Sequence, residues 1–282
     1  MTEAYFSGIG GRRLLRRAWT PAREADARAV VVIAHGAGEH SGRYQHVAAR
    51  LVDEGFAVYA LDHRGHGRSE GPRALIERLR YAVSDLDAVV VDALGRHPGT
   101  PLFLLGHSMG GTLGLCYALR RQERLAGLLL SGPLAALEAA PAWMRMGSRV
   151  LSGITPRLPL VSIDASLISR DPAVVQAYVA DPLVYHGRLP ARTVAELARA
   201  VDAFPVAVRS ITVPTLIMYG TADGLCPPRG SVMLGEEIGA ADKTVIAYEG
   251  VYHEILNEPE RERVLGDVGA WLGNRVGAPA AG

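Results

Sequence analysis

Ser108, Asp223 and His253 have the residue types and the chain order that nucleophilic catalysis by a serine demands. Ser108 sits in GHSMGG (106–111), between the apolar run PLFLL and the amphipathic stretch TLGLCYALRR. A G-x-S-x-G pattern at a strand-to-helix junction makes a strained turn that lifts the hydroxyl above the end of a sheet. Glycines flank the serine where a β-carbon would collide with neighbouring backbone, and the start of the helix offers free N–H groups to a developing oxyanion. A hydroxyl is a poor nucleophile without a base, and the base needs an orienting acid. Two histidines lie downstream of Ser108: His186, far from any strand-like run, and His253, just past KTVIAYEG. The base belongs after a late strand, so His253 is the candidate. Asp223 follows the run PTLIMYG by a few residues, whereas Asp202 lies in a helical stretch and Asp242 precedes a strand. An aspartate before glycine is also an ordinary turn signal; only its pairing with Ser108 and His253 marks it as the acid. Cys226 has neither a glycine-framed turn nor a base, and reads as a free thiol near the site.

A second segment, HGAGEHSGRY (35–44), carries two histidines, a glutamate and three glycines. The helical zinc signature places its histidines four apart with glutamate after the first; here the spacing is five and Gly36 and Gly38 oppose a helix. Neither phosphate-binding glycine pattern is present. Acyl transfer needs two backbone donors for the oxyanion, one from the residue after the nucleophile and one from a loop after an earlier strand. Those are Met109 and Ala37, with His35 and His40 left as scaffolding. A third segment, LDHRGHGRSEG (61–71), precedes the nucleophile and reads as a tight turn whose polar side chains bond neighbouring loops.

Elements that would hold these residues are legible as apolar runs: AVVVIAH (29–35), AVYALDH (57–63), PLFLLGH (101–107), AGLLLSG (126–132), PTLIMYG (214–220) and KTVIAYEG (243–250). Continuous β-branched and leucine runs suit strands covered on both faces. Amphipathic stretches of helical length alternate with them, which predicts an α/β architecture around a mostly parallel central sheet flanked by helices. Its ligand site belongs beyond the carboxyl ends of the strands. From about 133 to 205 the alternation stops and helical sequence dominates, too long for a loop. The expectation is one domain over 1–282, with a core of about 1–132 and 206–282 and an inserted helical cap of about 133–205.

Charged residues make up 21% and the net charge is +1, with Lys243 the single lysine; this argues against nucleic-acid binding. Two distant cysteines fit neither a disulfide framework nor a zinc pattern, and no apolar run reaches the roughly 18 residues of a membrane span. A cytoplasmic globular protein is the expectation, with its oligomeric state left open.

HGAGEHSGRY, DHRGHGRSEG, FLLGHSMGG, SRDPAVVQAYVADPL, DPLVYHGRLP and YHEILNEPER together resemble bacterial monoacylglycerol lipases of the α/β-hydrolase superfamily, in order over nearly the whole chain. The resemblance implies the α/β-hydrolase fold, Ser108, Asp223 and His253 as the triad, and Ala37 and Met109 as the oxyanion hole. It implies Glu39 and Arg43 near the glycerol end of the substrate, with Tyr178 of the cap segment as a further contact. The substrate would be a small lipid ester, with no metal or organic cofactor. Animal members carry a second histidine shortly after the catalytic one, where this chain has Leu256 and Asn257. The apolar residues Trp143, Met144, Met146, Val150 and Leu151 suit an acyl tunnel and a face that touches a membrane surface. The alternatives are a broader esterase or lysophospholipase of the same fold, and a ligand binder without turnover.

Overall fold

The computed structural model describes residues 1–22, 27–137 and 152–276. Its centre is an eight-stranded sheet of β1 (Thr2–Ser7), β2 (Arg13–Trp19), β3 (Ala29–Ala34), β4 (Phe56–Leu61), β5 (Leu102–His107), β6 (Gly127–Ser131), β9 (Thr215–Gly220) and β10 (Lys243–Tyr248). They are ordered β1-β2-β4-β3-β5-β6-β9-β10. From β4 across to β10 every pairing is parallel, while β1–β2 and β2–β4 are antiparallel. Strand residues alternate between two cores: Val30, Val32 and Ala34 face one, and Ala29, Val31 and Ile33 the other. That period of two, with both sets fully buried, is why β3 reads as an unbroken apolar run.

Helices α2 (Leu79–Arg96) and α3 (Met109–Arg121) cover the first face, while α1 (Gln45–Asp53) covers the second. Between β6 and β9 the chain forms a short ribbon of β7 (Pro159–Val161) and β8 (Leu189–Pro190), helix α4 (Pro172–Ala180) and helix α5 (Ala191–Ala207). Past β9, α6 (Pro228–Glu237) joins the first face and α7 (Arg261–Gly273) the second.

Three features depart from the sequence reading. The β1–β2 hairpin was not anticipated, because arginines interrupt its hydrophobic pattern; Arg17 is buried all the same, paired with Glu3 and Asp62. The β7–β8 ribbon lies where no strand was expected, being too short to make an apolar run. Helix α5, expected in the cap, buries Leu197, Val201 and Phe204 in the core with α3 and α6. We therefore propose to end the insertion near Pro190. Its segment from Trp143 to Leu151 lies outside the described residues. No helix among the described residues is long and apolar enough to cross a membrane.

Candidate active site

Ser108 forms the turn between β5 and α3 at φ 54° and ψ −119°, a left-handed conformation that costs an L-residue on the order of 1–3 kcal/mol. Two glycines permit it. A β-carbon on Gly110 would stand 1.9 Å from the Ala34 carbonyl oxygen, and one on Gly106 would stand 2.4 Å from that of Gly110. The elbow thus presses directly on β3, and neither position tolerates a side chain.

Asp223 lies in the turn after β9. Its Oδ1 accepts from the amides of Leu225 and Cys226, each at 2.8 Å, and its Oδ2 lies 2.7 Å from Nδ1 of His253. Nδ1 therefore carries the proton, and Nε2 is left free to exchange one. Burial alone would lower the His253 pKa, but the Asp223 carboxylate overrides it and the ring titrates above the ordinary histidine value. His107 packs beside it, ring centroids 4.7 Å apart, with Nδ1 bonded to the Ser131 carbonyl at 2.9 Å. The Ser108 hydroxyl lies 3.7 Å from Sγ of Cys226, whose thiol is buried and pushed far up in pKa by that burial. Cys226 is thus a neutral neighbour of the serine with little thiolate to attack anything.

The loop after β3 is braced from within. Glu39 Oε1 accepts from the Gly36 amide at 2.5 Å and from the Tyr44 hydroxyl at 2.7 Å, while Oε2 takes Arg43 Nη1 at 2.8 Å. Burial alone would raise the Glu39 pKa; Arg43 and these hydrogen bonds hold it below the usual carboxylate value. Ala37 and Met109 line one cavity with Ser108 and His253. Among the described residues, neither amide has a hydrogen-bond acceptor. The cavity holds about 200 Å³. Its wall is apolar at Leu134, Val161, Ile163, Ile168, Leu197 and Leu225, and acidic at Glu39 and Glu254.

Arg43 donates to Glu254 through both terminal nitrogens, at 2.6 and 2.7 Å, and its guanidinium lies 4.8 Å from the Tyr178 ring centroid. Of the residues implied for the alcohol end, Glu39 and Tyr178 line the cavity, whereas Arg43 is not among its lining residues. Sequence reasoning missed Glu254; its only signal was a carboxylate directly after the candidate base. Tyr178 arrives on α4, which begins at Pro172 behind an Asp171 cap whose carboxylate accepts from the Ala173 amide. The insertion is tied to the loop where the Tyr185 amide donates to the Gly38 carbonyl and His40 meets Asp181.

LDHRGHGRSEG forms the floor beneath that loop. Buried Asp62 accepts from Arg17, from the Ser41 amide and hydroxyl, and from the Arg68 amide. His35 accepts the His63 amide through Nε2 at 2.9 Å and meets the Gly36 carbonyl through Nδ1. Burial drives the pKa values of His35 and His63 well below the ordinary value and that of His66 to about 4. His107 is lowered for the same reason. Below about pH 6.5 the unfolded chain binds protons that these four refuse, so each removes up to ~1.4 kcal/mol of stability per pH unit. His253, shifted the other way, opposes them. Thermal unfolding followed from about pH 7 to about pH 5 is expected to show a falling Tm; a Tm constant over that range would contradict the burial of these rings.

A strained serine elbow over a mostly parallel sheet, sharing one cavity with a carboxylate-bound histidine, defines a serine hydrolase of the α/β-hydrolase fold. The family model described as serine aminopeptidase, S33, matches residues 25–260. A monoacylglycerol lipase of Mycolicibacterium smegmatis is 42% identical over 272 residues, 96% of each chain. The monoglyceride lipase of Homo sapiens is 37% identical over 94% of this chain and 88% of its own. The crystal structure of Paleococcus ferrophilus monoacylglycerol lipase matches with a TM-score of 0.84 at 35% identity, over 93% of this chain and 99% of that one. The chain belongs to the monoacylglycerol lipase family of the α/β-hydrolase superfamily.

Proposed function

We propose that the protein cleaves monoacylglycerol to glycerol and free fatty acid through an acyl-serine intermediate. The observation that carries this reading is the mixed lining of the cavity, mostly apolar but with two glutamates held together on Arg43. Ser108 and His253 stand on a wall that is apolar along most of its length and acidic at Glu39 and Glu254. An acyl chain gains by burial on the first part, and hydroxyl groups find hydrogen-bond acceptors on the second.

His253, oriented by Asp223, takes the Ser108 proton as the oxygen attacks the ester carbonyl. The amides of Ala37 and Met109 receive the oxyanion. His253 protonates the departing glycerol oxygen, then activates the water that releases the fatty acid. Ile154, Leu158, Val161 and Val179 are exposed along the segment over the cavity, and this apolar face would meet the lipid surface from which substrate is drawn.

The test is a panel at matched chain length: monoacylglycerol, diacylglycerol, lysophosphatidylcholine and short p-nitrophenyl esters. The highest kcat/KM is expected for monoacylglycerol. A preference for lysophosphatidylcholine would move the assignment to a lysophospholipase, and a preference for the short esters to a general esterase.

A further inference from the structure

We propose that Glu254, with Glu39, makes the alcohol side of the cavity a charge filter that admits neutral hydroxylated headgroups and turns away anionic ones. The inference rests on the reading above for which part of the cavity takes the alcohol.

Arg43 is held between two carboxylates, with Glu39 at 2.8 Å and Glu254 at 2.6 Å, so the cluster carries one more negative charge than positive. Glu39 and Glu254 both line the cavity, whereas Arg43 is not among the residues that line it and holds its guanidinium against the Tyr178 ring. Among the described residues that line the cavity there is no lysine or arginine. A ligand beside these two residues therefore meets hydrogen-bond acceptors and a net negative charge, while the compensating cation is committed to its partners.

Glycerol hydroxyls suit such a wall, because each can donate to a carboxylate oxygen. A phosphate monoester carries nearly two negative charges at neutral pH and is mainly an acceptor. Even about 10 Å from an unneutralised carboxylate, each of its charges meets repulsion equivalent to at least roughly 10-fold in affinity at an effective dielectric near 20. Asn257, which stands near where animal relatives carry their second histidine, donates to Glu254 Oε2 at 2.9 Å. It steadies the filter instead of reaching for the alcohol.

The experiment compares kcat/KM for a monoacylglycerol and for its 3-phosphate, the acyl chain being the same, in the native protein and in Glu254→Gln. The ratio within each protein is the readout, so any general loss of activity cancels. The native protein is expected to favour the neutral ester by at least about 10-fold, and Glu254→Gln to narrow that preference several-fold, chiefly through the KM of the phosphate. An unchanged ratio in the variant, or no preference in the native protein, overturns the proposal. A second measurement needs no variant. The uncleavable ethers 1-O-alkylglycerol and its 3-phosphate are compared as inhibitors of p-nitrophenyl ester turnover by the native protein. The neutral ether is expected to inhibit at about 10-fold lower concentration; equal inhibition overturns the filter. A native protein that cleaves p-nitrophenyl esters but not monoacylglycerol would sink the substrate assignment alone, since the ether ratio still reports the charge preference.

Discussion

Ser108→Ala is expected to lower kcat by about 10⁴–10⁶ on any ester while leaving the protein folded. The size follows from what the hydroxyl supplies, a covalent intermediate that replaces one hard step by two easier ones. The fold should survive because the strain of the elbow belongs to the backbone, at φ 54°, and alanine carries the same β-carbon through the same turn. The oxygen that is removed contacts only the Cys226 sulfur among the described residues, so no buried partner of consequence loses its hydrogen bond. Steady-state kinetics with a soluble ester checks the rate, and thermal unfolding checks the fold. A fluorophosphonate probe should label the native protein at Ser108 and leave the variant unlabelled. Near-normal turnover in the variant, or labelling elsewhere in the native chain, would overturn the assignment.

The second large effect is Asp223→Asn, expected to cost roughly 10³–10⁴ in kcat with little change in KM. The two carboxylate oxygens have different work. Oδ1 holds the amides of Leu225 and Cys226, both donors, while Oδ2 faces Nδ1 of His253. An asparagine keeps its carbonyl oxygen where two amides demand an acceptor, so its NH2 group must turn toward the imidazole. His253 then meets a donor at Nδ1 and shifts its own proton to Nε2, the nitrogen that has to be empty to receive the serine proton. The variant also loses the charge that raises the His253 pKa. In the native protein the acid limb of kcat/KM against pH is expected above the usual histidine value of about 6.5. In Asp223→Asn the remaining activity should hold to lower pH. A native acid limb well below that value would count against His253 as the base.

Much of the core was readable because strands buried on both faces cannot alternate. The runs at 29–35, 101–107 and 214–220 are almost the observed β3, β5 and β9. The edge hairpin was not readable, since Arg16 and Arg17 make ion pairs with Asp92, Glu3 and Asp62 that only folding brings together. Helix α5 misled for a related reason: its apolar stripe says that one face is buried, not which layer buries it. In the candidate site, the serine elbow and the carboxylate beyond β9 stand at strand ends, where sequence position carries information about space. The pairing of Arg43 with Glu254 spans 211 positions and leaves no local trace. The same holds for Cys226, whose closeness to the serine depends on the turn that Asp223 organises.

The strand order has a consequence for how the protein is made. Ser108 follows β5 in the middle of the sheet, but Asp223 and His253 follow β9 and β10, which are the last strands in the chain and the outermost on their side. A domain folds as a unit, so this one is completed only when its closing strands have emerged from the ribosome. A nascent chain short of β9 holds Ser108 but neither Asp223 nor His253. On the proposed mechanism, competence to cut an ester arrives only with the closing strands, and a polypeptide arrested before them would hold six of the eight strands but neither the acid nor the base.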